Sequence, residues 1–322
     1  MMNLKLSRVL ATDLNLKVTA SASSLRPKRK KQKCEETRFL LERLRRVQML
    51  QSDEEFDTLY ELDRVNGKLG YGSFATVRTC REKASGNIFA CKEVSKKKLF
   101  AMSRSAEMID LTYNEAACFT EILPEHENIV KVYKIYESPN YIYMIMELLE
   151  KDTLAQTFQR YSCTDARVLF RKIMQAVKHL HEYGVIHRDL NIGMKNICFR
   201  SGDTNSPVIV DLNLSIYLPH LATRIRPGFV IDQVFSDREL KQIIKRVKLD
   251  DEPPSFDDDV SSLGKILSVL LTGDRQPKDP PCFKPGCHPQ AVQLLCVLLD
   301  NNQRRALTIE QILNHPWFQS SD

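Results

Sequence analysis

The pattern of apolar and polar positions changes character along the chain. Alternating β-branched and apolar residues between turn residues predict strands at positions 65–69, 75–80, 88–94, 130–137 and 141–147. Apolar residues spaced three or four apart predict helices at positions 112–122, 164–183, 237–247, 259–271, 290–299 and 308–314. We therefore expect an α+β fold of two lobes, a small β-rich lobe at 61–149 and a larger helical lobe at 150–318.

The first 60 residues do not follow this pattern, and we expect them to form an N-terminal extension. Residues 1–34 are rich in Ser and Thr, and residues 26–33 hold six positive charges in eight positions. Self-repulsion predicts an extended, mobile segment there. Helical spacing returns over residues 35–50 and predicts a short amphipathic helix. The apolar stripe of that helix is Leu40, Leu44 and Val47.

The net charge of +6 is unevenly distributed along the 322 residues. Residues 1–50 hold 13 basic and 4 acidic side chains, whereas the remainder holds 34 basic and 37 acidic ones. The body is thus slightly acidic and carries a basic arm. Such an arm suits a nuclear import receptor, an anionic membrane or nucleic acid, in that order of preference. Few aromatic residues accompany the arm, which argues against nucleic acid.

The composition argues against a disordered chain, a membrane-spanning protein and a disulfide-rich secreted protein. Hydrophobic residues make up 43% and charged residues 27%, which is ordinary globular usage. No apolar run is long enough to predict a membrane span. Nine scattered cysteines indicate reduced thiols and a soluble protein of the cytoplasm or nucleus. Cys282, Cys287 and His288 lie close together, but no second ligand pair completes a zinc site.

Four short motifs carry candidate chemistry. Gly70 and Gly72 lie between two strands, where a glycine turn can bring amide groups close to phosphate oxygens or simply close a hairpin. Lys92 lies among alternating apolar residues, so an interior ammonium would need an anionic partner. Asp189 follows His and Arg and can accept a hydroxyl proton. Asp211 ends a β-branched run and can ligate Mg²⁺.

The order of these motifs over residues 62–318 resembles the signature set of the eukaryotic protein kinases. Three further segments resemble that family: positions 126–130, 259–264 and 314–318. The resemblance implies a bilobal kinase fold, ATP and Mg²⁺ as cofactors, and protein substrates.

The resemblance also implies roles for individual residues. Lys92 would hold the α- and β-phosphates and pair with a helix glutamate, Asp189 would deprotonate the substrate hydroxyl, and Asp211 would bind Mg²⁺. Met146 would form the back wall of the adenine site, and the segment from Glu147 to Leu149 would offer backbone groups. The residues that would cover ATP are Leu69, Gly70, Tyr71, Gly72, Ser73, Phe74, Ala75, Thr76 and Val77.

The family's usual spacing does not identify the helix glutamate that would pair with Lys92. Family spacing counted back from His126 gives Ala117, which cannot pair with lysine, and Glu115 and Glu121 flank it. The run from Asn114 to Ala116 looks more like the family motif, so we expect Glu115 to be the partner of Lys92.

The catalytic loop departs from the family. Met194 stands where a metal-binding asparagine is expected, and a two-residue insertion would restore Asn196 as the metal ligand. Asn191 replaces the usual loop lysine, a charge that Lys195 could supply.

The segment after Asp211 departs further. Leu212 and Asn213 replace Phe and Gly, and asparagine tolerates positive φ best among non-glycine residues. No Ala-Pro-Glu occurs between residues 215 and 258. In the family, the glutamate of that motif pairs with an arginine near the C-terminus, which here would be Arg304 or Arg305. Without the motif, the acidic partner of this arginine is not identified, and the candidates are Glu252, Asp257 and Asp258.

We expect an ATP-dependent Ser/Thr protein kinase. The alternative, motivated by these departures, is a pseudokinase that acts as a scaffold or allosteric partner. Three hydroxyls could be phosphorylated and pair with Arg188, although ordinary surface hydroxyls are the simpler interpretation of each. They are Ser215, Thr223 and Ser236.

Overall fold

The computed structural model describes residues 41–102, 105–190, 194–234, 254–276 and 281–319. The basic arm and the helix expected at 237–247 lie outside these residues, so import-receptor binding by the arm stays a prediction. Among the described residues, no helix combines the length and apolar character needed to cross a bilayer.

The small lobe is a sheet with short helices. Its elements are β1 (Val47–Met49), α1 (Asp53–Leu59), β2 (Tyr60–Leu62), β3 (Lys68–Tyr71), β4 (Ala75–Glu82), β5 (Ile88–Ser95), α2 (Lys96–Ala101), α3 (Ser105–Ala117), β6 (Val132–Glu137) and β7 (Tyr141–Met146). The strand order is β1-β6-β7-β5-β4-β2, with β3 pairing β4. A π-helical turn, Cys118–Ile122, continues α3.

The larger lobe is mostly helical. Its elements are α4 (Leu154–Thr157), α5 (Cys163–Glu182), β8 (Val185–Ile186), β9 (Ile197–Arg200), β10 (Asp203–Ile209), β11 (Ile216–Tyr217), α6 (Ile231–Val234), α7 (Phe256–Thr272), α8 (Pro289–Leu299), α9 (Asn301–Arg305) and α10 (Ile309–Leu313). Both long helices begin with a capping box that satisfies free amide groups: Ser162 with Asp165 in α5, and Ser255 with Asp258 in α7. The expected α+β arrangement of two lobes is confirmed.

The N-terminal boundary differs from the expectation. Residues from Leu41 onward belong to one unit with the body. The helix expected at 35–50 is wrong for its described part, because residues 41–46 form turns and β1 pairs in parallel with β6. Leu41 and Leu44 are buried. The apolar spacing of the predicted stripe, of which Leu44 is buried, therefore reflects burial by tertiary contacts, which override local preference.

The aromatic core of the small lobe includes part of the expected extension. Phe56 on α1 stacks on Tyr143 with ring centroids 3.7 Å apart, and it also contacts Tyr60 and Tyr136. Burying rings of this size stabilises a fold by about 1.5–3 kcal/mol each. Residues 41–60 are thus part of the small lobe.

Strand β3 begins later than predicted. The strand expected at 65–69 is wrong at its start because Val65 is exposed and lies in a turn. The Asp63 carboxylate accepts hydrogen bonds from the amides of Val65 and Asn66. Such an Asx turn competes with strand pairing.

The short strands of the larger lobe position two loops. Strand β8 leads directly into His187, and β10 leads into Asp211. Asn128 anchors β10, because its side chain donates to Pro207 O and its carbonyl accepts from Ile209 N. The two motifs are therefore carried by hydrogen-bonded strands.

Candidate active site

Lys92 is the centre of a buried charge cluster. It lies on β5 between β4 and β7, opposite Val77 and Met144, and its side chain is almost fully buried. Its Nζ donates to both Glu115 oxygens, at 2.6 and 2.8 Å, and to Asp211 Oδ1 at 2.7 Å. One ammonium thus contacts two carboxylates that are far apart in sequence.

Helix α3 delivers Glu115 to this cluster. Glu115 is 2% exposed. Glu121, the other candidate, lies in the π-helical turn, where its Oε1 accepts a hydrogen bond from Arg45 N at 2.9 Å. The structure therefore brings Glu115 to Lys92 and uses Glu121 to bind the N-terminal segment.

The three charged side chains of this cluster shift one another's pKa values. Burial opposes the charge of Lys92, yet Asp211 and Glu115 outweigh it and raise the pKa of Lys92. Burial, together with Asp211, raises the pKa of Glu115 to about 7, although Lys92 opposes the shift. Burial also acts on Asp211, but Lys92 keeps the pKa of Asp211 below its ordinary value. Glu115 is therefore the carboxyl that takes up a proton first.

Asp259 holds the loop that carries Asp189. Its carboxylate accepts from the backbone amides of His187 and Arg188, both at 2.8 Å, and lies 2.9 Å from His181 Nε2. Asp259 is fully buried, and contacts with His181 and His187 keep its pKa low against the effect of burial. The sequence motif at 259–264 signalled this residue, but we assigned it no role from sequence.

Three non-glycine residues of the site have left-handed backbones. The φ values are 67° at Arg188, 56° at Met194 and 65° at Asp211. Such conformations cost about 1–3 kcal/mol each and persist only where the surroundings hold them. Their clustering in the two loops indicates conformations fixed by the site.

Asn196 contacts Asp189. Its Nδ2 donates to Asp189 Oδ2 at 2.8 Å and to Asp189 O at 2.9 Å, whereas the Met194 side chain is buried. Asp189 Oδ1 is buried and has no hydrogen-bond partner among the described residues. Burial raises the pKa of Asp189 while the Asn196 bond opposes that shift. The structure therefore places Asn196 beside Asp189, the acid that the sequence predicts to accept the hydroxyl proton.

The glycine turn of the expected ATP cover has free space. A Cβ at Gly70 would lie 4.0 Å from the nearest atom, Val77 Cβ, and one at Gly72 would lie 3.9 Å from Ala75 O. At Gly67, by contrast, a Cβ would lie 2.2 Å from Thr79 Oγ1. The fold itself requires glycine at 67, whereas at 70 and 72 a Cβ would make only ordinary van der Waals contacts.

The expected adenine segment follows β7. Glu147 N donates to Lys131 O at 3.0 Å, and the Glu147 carboxylate accepts two 3.0 Å bonds from Arg200. Met146 and Leu149 are half-buried. The Glu147 side chain thus anchors this segment to β9.

The structure selects an acidic partner for the C-terminal arginine. Arg304 donates from Nε and Nη2 to the two oxygens of Asp257, at 2.6 and 3.1 Å. Arg304 is buried, so this bidentate pair fixes the start of α7 against α9. Of the other candidates, Asp258 caps α7 and Glu252 lies outside the described residues.

The hydroxyls considered for phosphorylation differ in access. Ser215 is 1% exposed, so it is not a surface hydroxyl. Thr223 is exposed and donates to Glu182 O at 3.3 Å, and Ser236 lies outside the described residues.

The side chain of His288, considered with Cys282 and Cys287 as a zinc ligand, caps α8. Among the described residues, no group of three or more His, Cys, Asp or Glu side chains could hold a metal ion.

Comparison with known proteins identifies the family of this chain. The family model described as "Protein kinase domain" matches residues 64–275. Calcium-dependent protein kinase 32 of Arabidopsis thaliana is 28% identical over 83% of this chain and 50% of its own length. Calcium-dependent protein kinase 20 of Oryza sativa subsp. japonica is 30% identical, with shares of 81% and 48%. Putative ribosomal protein S6 kinase alpha-2 of Caenorhabditis elegans is 26% identical, with shares of 85% and 38%. The chain spans about half, or less, of the length of these relatives. It belongs to the protein kinase domain family.

Proposed function

We propose that this chain is an ATP- and Mg²⁺-dependent protein kinase that phosphorylates Ser and Thr hydroxyls. The observation that carries the proposal is the contact of Lys92 with both Glu115 and Asp211, next to a loop that presents Asp189. Phosphoryl transfer depends mainly on positioning and charge neutralisation, which these residues can provide. A relative named as a probable serine/threonine-protein kinase, fhkC of Dictyostelium discoideum, supports the choice of hydroxyl.

The residues present fit a magnesium ion. The donor set is oxygen only, which suits Mg²⁺, and Lys92 offsets only one of the two carboxylates that it contacts. Asp211 and Asn196 would hold the ion. When bound, Mg²⁺ would neutralise charge on the phosphate oxygens.

The residues of the chain divide the remaining work. Lys92 would donate to phosphate oxygens, held in place by Glu115. Asp189 would accept the proton of the substrate hydroxyl, and its buried Oδ1 has no hydrogen-bond partner among the described residues. Backbone amides between Gly70 and Gly72 would close over the phosphates. The segment from Met146 to Leu149 would contact the adenine.

Replacing Asp189 with asparagine tests the proposal. Asparagine keeps the shape but cannot take the proton, so we expect phosphate incorporation into Ser- and Thr-containing peptides to fall by about 100-fold or more. The measurement is transfer of labelled phosphate by the purified chain, with a metal-omitted control. Undiminished transfer by Asp189→Asn would refute the assignment.

The alternative function is that of a pseudokinase. The specific observation in its favour is Met194, which is buried with a left-handed backbone where the family has a metal ligand. Absence of phosphate transfer by the wild-type chain, with thermal stabilisation by ATP and Mg²⁺ retained, would favour this alternative. A saturating ligand at 100 times Kd stabilises by about 2.7 kcal/mol, which is easily measured.

A further inference from the structure

Helix α3 and the loop after Asp211 are joined by a buried, uncharged contact beside the charge cluster. Asn114, the residue before Glu115, donates from Nδ2 to Ser215 O at 3.0 Å and to Ser215 Oγ at 3.1 Å. The two residues are 5% and 1% exposed. The Ser215 hydroxyl in turn donates to Leu212 O at 2.7 Å. A continuous path of hydrogen bonds therefore runs from α3 to the residue that follows Asp211.

The loop that this path reaches is conformationally costly. Asp211 has φ of 65°, whereas Asn213, which occupies the position where the family has glycine, has no positive φ. A left-handed non-glycine residue persists only where its surroundings hold it. Hydrogen bonds to Leu212 O and Ser215 O are well placed to supply that constraint, because both carbonyls lie within four residues of Asp211.

The charge cluster needs such a constraint. Glu115 and Asp211 are both acids, and each is drawn to the single ammonium of Lys92. Whenever a phosphate engages Lys92, the attraction that keeps the two acids near each other weakens. An amide-to-hydroxyl contact keeps α3 and the loop together without adding charge, and its loss would leave buried polar groups unsatisfied.

We propose that Asn114 and Ser215 are positioning residues that lock helix α3 to the Asp211 loop, so that Glu115 and Asp211 reach Lys92 together. The effect on phosphoryl transfer rests on the proposed function, whereas the lock itself rests on the contacts of Asn114 and Ser215 alone. The lock also gives Ser215 a structural role in place of the considered phosphorylation.

A double-mutant cycle in the full chain tests the lock. Asn114→Ala, Ser215→Ala and the double variant are compared with Thr112→Val, a matched control on α3. Thr112 is also buried, but its hydroxyl bonds within the helix, to Met108 O. We expect each lock variant to lower kcat about 10- to 100-fold with KM for peptide nearly unchanged, because small misplacements carry costs of that size. The double variant should lose no more than the worse single one, and the control should stay near wild type.

Hydrogen exchange supplies a readout that does not need activity. In either lock variant, amide exchange should rise together in residues 108–117 and 211–217, because the lock joins these segments. In Thr112→Val any rise should stay within the helix. If wild type transfers no phosphate, the proposed function fails while this coupled exchange still supports the lock. Additive losses in the cycle, or exchange that rises in one segment only, would overturn it. If Asn114→Ala does not fold, Ser215→Ala decides the question: it removes the hydroxyl but keeps the Ser215 carbonyl that Asn114 also contacts, so a smaller rise in exchange that still appears in both segments supports the lock, and a rise in one segment only overturns it.

Discussion

Lys92 and Lys96 lie four positions apart, and each buries its ammonium against a glutamate. Lys92 contacts Glu115 at 2.6 Å, and Lys96 contacts Glu137 at 2.5 Å. All four side chains are at most 7% exposed. By burial and distance alone the two pairs are equivalent, so neither property identifies the functional one.

The surroundings of the two pairs differ. Glu137 accepts a hydrogen bond from Leu41 N, and Lys96 donates to Ser138 O, so this pair ties together the N-terminal segment, β6 and α2. The Lys92 pair has a third member, Asp211, whose side chain is 34% exposed. One pair thus joins segments of the small lobe, while the other holds surplus negative charge at an accessible edge. A second, partly exposed carboxylate beside a buried pair, more than the pair itself, marks the candidate site.

Replacing Lys92 with methionine should give the largest effect on activity. Methionine keeps most of the volume but removes the donor proposed for the phosphates, so we expect kcat to fall about 100- to 1,000-fold. The loss of stability should be modest, because Glu115 has its pKa raised to about 7 and can become neutral. Kinase assays and urea unfolding of the same preparation check both parts. Full activity would remove Lys92 from the mechanism.

Replacing Lys96 with methionine should lower stability strongly and activity only slightly, the opposite of the Lys92 variant. Removing Lys96 takes away the ammonium that offsets the buried Glu137 carboxylate, and we expect the free energy of unfolding to fall by about 3–5 kcal/mol. Urea unfolding measures this loss. The activity of the fraction that remains folded at low temperature should stay within a few-fold of wild type. A larger stability loss for Lys92→Met than for Lys96→Met would reverse the comparison.

The smallest expected effect is a pH dependence that belongs to the Lys92 cluster. The pKa of Glu115 rises from an ordinary 4.5 to about 7 on folding. Between these values the native state binds more protons than the unfolded state, so this contribution to stability falls as pH rises. We expect wild type to lose stability relative to Glu115→Gln from pH 5 to pH 8, as measured by urea unfolding without nucleotide. A difference that stays constant with pH would contradict the raised pKa.

Much of the candidate site was accessible from sequence because its residues sit in short local motifs. Lys92 and Asp211 were each picked out by their strands, and the structure brings them into contact. Asn196 was inferred from the residues that follow it, and it lies beside Asp189. Glu115 was chosen over Glu121 by a motif, and only Glu115 reaches Lys92.

Other features depended on partners distant in sequence. The acid that binds Arg304 was one of several candidates, and the bidentate contact with Asp257 needs α7 and α9 to be packed. Nothing in the local sequence of Asn114 or Ser215 announces a contact across 101 positions. Such contacts are set by how elements pack, which local patterns do not encode.

The sequence by itself determined the two-lobe α+β architecture and the main charged residues of the candidate site, Lys92, Asp189 and Asp211, because hydrophobic periodicity and motif spacing are local properties. The tertiary structure decided where the small lobe begins and what its buried charges do. Residues 41–50 have helical spacing yet add strand β1, since burial of Leu41 and Leu44 and pairing with β6 outweigh a weak helical preference. A local motif singles out Lys92 along the chain, but burial and distance to a glutamate are the same for Lys92 and Lys96, and in the structure the contact with Asp211 distinguishes them.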